Sequence, residues 1–289
     1  MIRLGATLLG LVALFVIQSC QTGREQLVFS SSRNGNSDIF VMRTNGKGLR
    51  QLTSSPQEEW APDVLSRNTI VFLRQGPDSI YRVRLELDSG REQTIPHPSN
   101  CLLDDKNTLH GPGGRKYVYP CGGEIFLQEG DGPPRNISGS LTGTSNYLSW
   151  SPDGAYVLFT NNGGGSNDLY QYSVGEGVIT QLTDDAFNNE RGSFSPDNAL
   201  LLYSSNQLGQ SGQDLILLNR STKQRSVIRV REGTELIGRW GTSGKHLYFG
   251  SNGDGNWEIY RYSLKSQKIR RLTDDPQFDG DPRLFTVKN

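Results

Sequence analysis

Histidine is nearly absent from this 289-residue chain: there are three, His97, His110 and His246, against 30 basic and 30 acidic residues. None has a metal-binding spacing such as His-x-x-x-His, so nothing in the pattern points to a metal centre. Cysteine is as scarce, at three, and methionine scarcer, at two. The charges cancel, which argues against nucleic acid as a partner, because phosphate backbones demand a basic surface. No apolar run follows residue 19 that could cross a membrane, and no window repeats its apolar residues at helical spacing. A Gly-x-Ser-x-Gly elbow is missing too, and with it the usual sign of a serine hydrolase.

What the chain does have is glycine, 34 residues of it, and a repeat. The stretch from Trp150 to Asp185 recurs from Phe194 and again from Trp240, at intervals of 44 and 46 residues. Leu182 and Leu272 stand 90 apart, Trp60 precedes Trp150 by 90, and Ile137 precedes Leu182 by 45. Within a unit the reading is four short strands. In the clearest copy, Ser151-Pro152-Asp153-Gly154 is a turn in which Pro fixes φ, Asp bonds its own backbone and Gly takes positive φ. Tyr156–Phe159, Asp168–Tyr172 and Ile179–Thr183 follow as alternating apolar runs between turn residues. Units of this length and content are propeller blades. The expected fold is all-β: six four-stranded blades over residues 27–289, with Trp60 opening the second and Ala61-Pro62-Asp63 standing for its turn. The third blade is irregular, with Leu102–Asp105 and Thr108–His110 as its inner strand. Leu27–Thr53 supplies only three strands, so the last strand, Asp279–Phe285, should complete the first blade and close the ring.

Residues 1–19 read as an export signal: Arg3, then an apolar core from Leu4 to Ile17. Ile17-Gln18-Ser19-Cys20 resembles the bacterial lipobox, which implies cleavage before Cys20 and lipid attachment to it. Residues 20–26 would then be the lipidated tether, and Gln21 rather than Asp would direct a Gram-negative protein to the outer membrane, on its periplasmic side. Export makes a Cys101–Cys121 disulfide possible.

The repeat resembles that of the TolB-like propellers. The resemblance rests on Ser151-Pro152-Asp153-Gly154, Asn167-Asp168-Leu169-Tyr170 and Gln181-Leu182-Thr183. It recurs at Asp38-Ile39-Phe40 with Gln51-Leu52-Thr53, and at Glu258-Ile259-Tyr260 with Arg271-Leu272-Thr273. It implies a partner-binding protein of the bacterial envelope. TolB carries an α/β domain ahead of its propeller; here the first strand is expected seven residues after Cys20. The expectation is therefore a lipid-anchored, non-catalytic propeller holding a protein or peptide partner, without a cofactor. Two alternatives stay open: a carbohydrate-binding or polysaccharide-lyase-like propeller, favoured if folding gathers histidines around His110, and a structural subunit of a larger membrane complex.

Asn252–Glu258 looks like a calcium loop, but Trp257 and Ser263 stand where an EF-hand needs Gly and Glu, so a hairpin turn is the better reading. The carboxylate pairs Asp184-Asp185 and Asp274-Asp275 repeat with the blade, which favours structure over catalysis. Trp150, Phe194 and Trp240 read as packing between blades. The segments before the inner strands should ring the axial mouth, carrying Glu59, Tyr147, Asn189, Arg191, Glu235, Arg239, Asp281 and Arg283. That mixed-charge ring is the expected ligand or partner site.

Overall fold

A computed structural model describes residues 24–98, 101, 108–208, 212–228 and 233–287. The export signal, Cys20 and Leu102–Asp105 lie outside the described residues. Those described form strands and turns, with no helix among them. Blade one uses β1 (Arg24–Ser31), β2 (Asp38–Arg43) and β3 (Arg50–Gln51), and blade two β4 (Glu59–Ser66), β5 (Thr69–Gln75), β6 (Ile80–Glu86) and β7 (Glu92–Ile95). Blade three has β8 (Leu109–His110), β9 (Lys116–Cys121), β10 (Glu124–Glu129) and β11 (Arg135–Asn136). Blade four has β12 (Ser145–Trp150), β13 (Tyr156–Asn161), β14 (Asp168–Ser173) and β15 (Ile179–Gln181). Blade five runs β16 (Asn189–Phe194), β17 (Leu200–Ser205), β18 (Asp214–Asn219) and β19 (Arg225–Ile228). Blade six runs β20 (Glu235–Trp240), β21 (His246–Ser251), β22 (Glu258–Ser263) and β23 (Ile269–Arg271), and β24 (Asp279–Val287) ends the described chain. The sheet order β24-β1-β2-β3 shows the last strand completing the first blade, and the other five sheets each run in chain order.

The turn motif works as its chemistry requires. Asp153 Oδ1 accepts from the Ser151 hydroxyl at 2.6 Å and the Ala155 amide at 3.0 Å, while Ser151 Oγ accepts from the Tyr156 amide at 2.8 Å. Blade five repeats all three bonds from Ser195 and Asp197. The turn of one blade also reaches the next: Asn198 Nδ2 donates to Asp153 Oδ2 at 2.7 Å.

The outer strands are shorter than expected. β15 stops at Gln181, and Thr183 is no ladder residue. Instead its Oγ1 accepts from the Leu169 amide at 2.9 Å and its hydroxyl donates to Asp168 at 2.8 Å. Thr53 and Thr273 accept from Ile39 and Ile259 in the same way, and Ser138 accepts from Ile125. A side chain thus replaces the backbone acceptor that the ladder lacks there, and the Gln-Leu-Thr motif is a strand terminator.

Apolar cores lie between blades. One joins Val28 and Val41 of blade one to Phe72 of blade two. Others pair blades three and four around Phe159, four and five around Tyr203, five and six around Phe249, and six and one around Phe29. Among the described residues no such cluster joins blades two and three. That seam carries Arg82, which is 5% exposed and donates to the Pro96 carbonyl, and His110, whose amide donates to Asp63. Burial brings the Arg82 guanidinium down to about 10.

The register corrects one expectation. Trp60 pairs with Leu73, as Asn146 pairs with Thr160, whereas Trp150 pairs with Val157 as Val64 pairs with Ile70. Val64, not Trp60, is therefore the counterpart of Trp150. Ala61-Pro62-Asp63 lies inside β4, as a bulge, and not in a turn.

Candidate functional site

That bulge is repeated. The pairing of β24, β4, β12, β16 and β20 with the neighbouring strand slips at the same place in each. At each slip the third strand residue has positive φ: Asp281 54°, Ala61 50°, Tyr147 53°, Arg191 58° and Ile237 56°. None is glycine, and for β-branched Ile237 this conformation is an outlier. A bulge re-aims its side chain, and here all five aim at one place: each lines an axial cavity of about 330 Å³. Left-handed non-glycine residues cost about 1–3 kcal/mol each and persist where surrounding structure enforces them.

Two residues further along, the inner strands form a second row. Ser149 donates to the Gly192 carbonyl at 2.7 Å, Ser193 to Gly238 at 2.9 Å, and Arg283 Nε to Pro62 at 3.4 Å, each from one blade to the next. Arg239 holds this place in blade six and donates to its own neighbour, Gly238, at 3.0 Å. Gly192 and Gly238 are required by packing, since a Cβ would lie 2.5 Å from Leu158 and from Leu202 of the preceding blade. Below this row the passage is lined by Asp63, His110, Trp150, Phe194 and Trp240. Trp150 Nε1 donates to Leu109 and Trp240 Nε1 to Ser193, so these rings bind blade to blade, as expected.

Of the eight residues expected at the mouth, Tyr147, Arg191, Arg239, Asp281 and Arg283 converge on the cavity. Glu59, Asn189 and Glu235 do not: each is 0% exposed, at the first position of its inner strand. The bulge explains the division, because it turns toward the axis the residue two places on, and the strand then carries Arg239 and Arg283 there two places further, while the first position stays inside the blade. Glu59 is paired with Arg74, Asn189 donates to Asp185 at 2.7 Å, and Glu235 accepts from Ser251 at 3.0 Å. Asp279 holds the same position in blade one and is paired with Arg33 at 2.7 Å. Burial raises the Glu59 and Asp279 carboxyls above their ordinary values despite those partners. Ala61 and Ile237, which line the cavity, went unrecognised in the sequence. A fixed offset of two from each polar strand start could have found them.

The remaining candidates are local. Asp185 pairs with Arg225, and Asp274 with Arg271 at 2.9 Å, so the repeated carboxylates are structural. Gly255 N donates to the Asn252 carbonyl at 3.0 Å in a hairpin that blades one and four repeat at Gly35 and Gly165. The histidines are dispersed: His97 faces the Ile80 carbonyl at 2.8 Å, His110 lies 3.7 Å from Asp63, and His246 sits in blade six. Among the described residues no group of three His, Cys, Asp or Glu could hold a metal ion.

The architecture and its axial cavity define a six-bladed β-propeller. No family profile matches the chain. Tol-Pal system protein TolB of Francisella tularensis subsp. mediasiatica is 26% identical over 147 residues, 50% of this chain and 33% of that protein. The chain thus matches about a third of the length of that curated relative. The crystal structure of TolB from Acinetobacter baumannii superposes with a TM-score of 0.77 at 16% identity, covering 91% of this chain and 66% of that one. A putative TolB from Agrobacterium tumefaciens gives 0.69 at 17%, covering 92% and 99%. An oligogalacturonate lyase from Vibrio parahaemolyticus gives 0.56 at 13%, covering 86% and 74%. The chain is thus similar to TolB, in sequence over half its length and in propeller fold over about nine tenths of it.

Proposed function

We propose that this chain is a lipid-anchored propeller of the bacterial envelope that holds a protein or peptide partner at its axial mouth, without catalysis. The observation that carries this reading is the ring of five left-handed bulge residues, all turned into one cavity on a closed scaffold. Strain repeated at one place and aimed at one cavity is the mark of a site that has to be rigid. Likeness to TolB, a Tol-Pal system protein, supports an envelope setting and a protein partner. Likeness to a lyase shows the shared fold alone, and the scattered histidines give a lyase reading no support.

The anchor is Cys20, with Gln21 directing it to the outer membrane, and the bulk of the chain then faces the periplasm. In that oxidising compartment Cys101 and Cys121 form a disulfide. In this structure the two are not bonded, and the Cys101 thiol donates to the Pro120 carbonyl at 3.4 Å; what supports the bond is that this contact sets Cys101 against the residue next to Cys121. Alkylation of both thiols before reduction would exclude that bond.

The test of the main reading is a pull-down from detergent-solubilised native envelopes with the lipidated protein and a Cys20→Ser control. A stoichiometric protein partner that depends on Cys20 is expected. Recovery of no partner, with bound glycan or metal in its place, would overturn the reading.

A further inference from the structure

Three guanidiniums meet in the axial passage. Arg191 lies on the bulge of blade five, with its Cζ 3.9 Å from the Tyr147 ring centroid; Arg239 and Arg283 lie one row deeper, on blades six and one. All three line the same cavity. The Nε groups of Arg191 and Arg239 are enclosed and have no hydrogen-bond partner. Neither Arg239 nor Arg283 has a carboxylate within ion-pair distance among the described residues, and both spend donors on backbone carbonyls, Gly238 and Pro62. Like-charged groups are not usually gathered in an enclosed passage, because each loses hydration and repels the others.

The carboxylates around them do not cancel this charge. Asp281 lines the same cavity and accepts a long bond from Ser30, at 3.4 Å. Asp63 lies in the deeper passage and is shared with the His110 amide and the buried Arg82. Glu190 lies 3.8 Å from Arg191 but accepts from Asn167 at 3.1 Å and Gln213 at 2.7 Å, outside the cavity wall. Counting Arg82, which shares Asp63, four guanidiniums face three carboxylates, Asp281, Asp63 and Glu190, and leave about one positive charge unmatched. Burial, with Arg283 beside it, holds the Arg239 guanidinium well below its ordinary value, and the nearby aspartates do not restore it.

We propose that the axial cavity is a carboxylate receptor: an acidic side chain of the bound peptide enters the mouth and is held by Arg191, Arg239 and Arg283. The proposal rests on the interaction reading above and names the chemistry recognised there. A single carboxylate matches the uncompensated charge, whereas a dianionic phosphate exceeds it. A planar carboxylate also suits the guanidinium fork, and charge-assisted bonds of this kind are the strong ones. The cavity, at about 330 Å³, is of a size for one side chain and its flanking backbone.

Calorimetric titration of the full chain at low salt tests this with three probes: acetyl-Gly-Glu-Gly-amide, acetyl-Gly-Gln-Gly-amide and glutarate. The glutamate peptide should bind on the order of tenfold to a hundredfold tighter than its glutamine analogue. Arg239→Gln and Arg191→Gln should each abolish that preference. Arg191 stands nearest the mouth, so its variant separates lost binding from lost folding, which thermal midpoints monitor for both. Equal binding of the two peptides, or a preference that survives both substitutions, would overturn the proposal. Binding of glutarate but not of the glutamate peptide would overturn its peptide part and keep the carboxylate site, a result distinct from failure of the envelope pull-down.

Discussion

Thr183 shows how much one side chain decides. Its hydroxyl ends a strand by standing in for a backbone acceptor, and it donates to a buried carboxylate that Gln181 also reaches. Thr183→Val keeps the shape and removes both bonds, so it should cost about 1–3 kcal/mol in chemical denaturation, with Thr183→Ser close to the parent. The buried carboxylates have a second signature, in pH. Asp279 and Glu59 have folded values raised above 3.8 and 4.5. A raised acid contributes its full stability below its unfolded value and loses it as pH rises through the folded one. Asp153 and Asp197 are lowered by hydrogen bonds from Ser151 and Ser195, so their contribution is present above 3.8 and lost as pH falls. Asp279→Asn should therefore flatten the midpoint-against-pH curve above pH 3.8, and Asp153→Asn below it. The same curve for both variants would contradict these assignments.

Among the elements, the inner strands matter most, and they were the least legible. Turns announced themselves, because Ser-Pro-Asp-Gly has one economical conformation. The period announced the blades, and the closing strand followed from a unit that lacked its first strand. The bulges gave no such signal: their left-handed residues are Asp, Ala, Tyr, Arg and Ile, where glycine would have marked the backbone. An aromatic residue then misled the register, since Trp60 resembles Trp150 in kind but sits four places earlier in its strand. Half-right site residues came from the same cause. Polar strand starts look like mouth residues until the bulge separates Glu59, Asn189 and Glu235 from the axis. If strain is held at Ile237, then Ile237→Gly should be more stable than Ile237→Ala, by about 1 kcal/mol, reversing the ordinary order in strands. Alanine equal to or above glycine in urea denaturation would show that the position is unstrained.

At the scale of the whole molecule, the ring is closed by β24 on β1 and by the Arg33–Asp279 pair, and five of its six blade junctions have apolar cores among the described residues. The sixth, between blades two and three, relies on Arg82, Asp63 and His110. Polar contacts offset their own desolvation poorly, so this seam should open first. Native-state hydrogen exchange should show amides of β9 exchanging roughly tenfold or more faster than those of β13. Equal protection in the two strands would place the weakest junction elsewhere.

The claim to test most directly is that the partner is held at the axial mouth. A photo-crosslinking phenylalanine analogue placed at Tyr147, in the cavity wall, is compared in living cells with the same analogue at Val227, which is 41% exposed on the outer strand β19. A discrete protein adduct from position 147 and none from 227 is the predicted result. Adducts from 227 alone, or of equal yield from both, would contradict an axial site and move the partner to the rim of the ring.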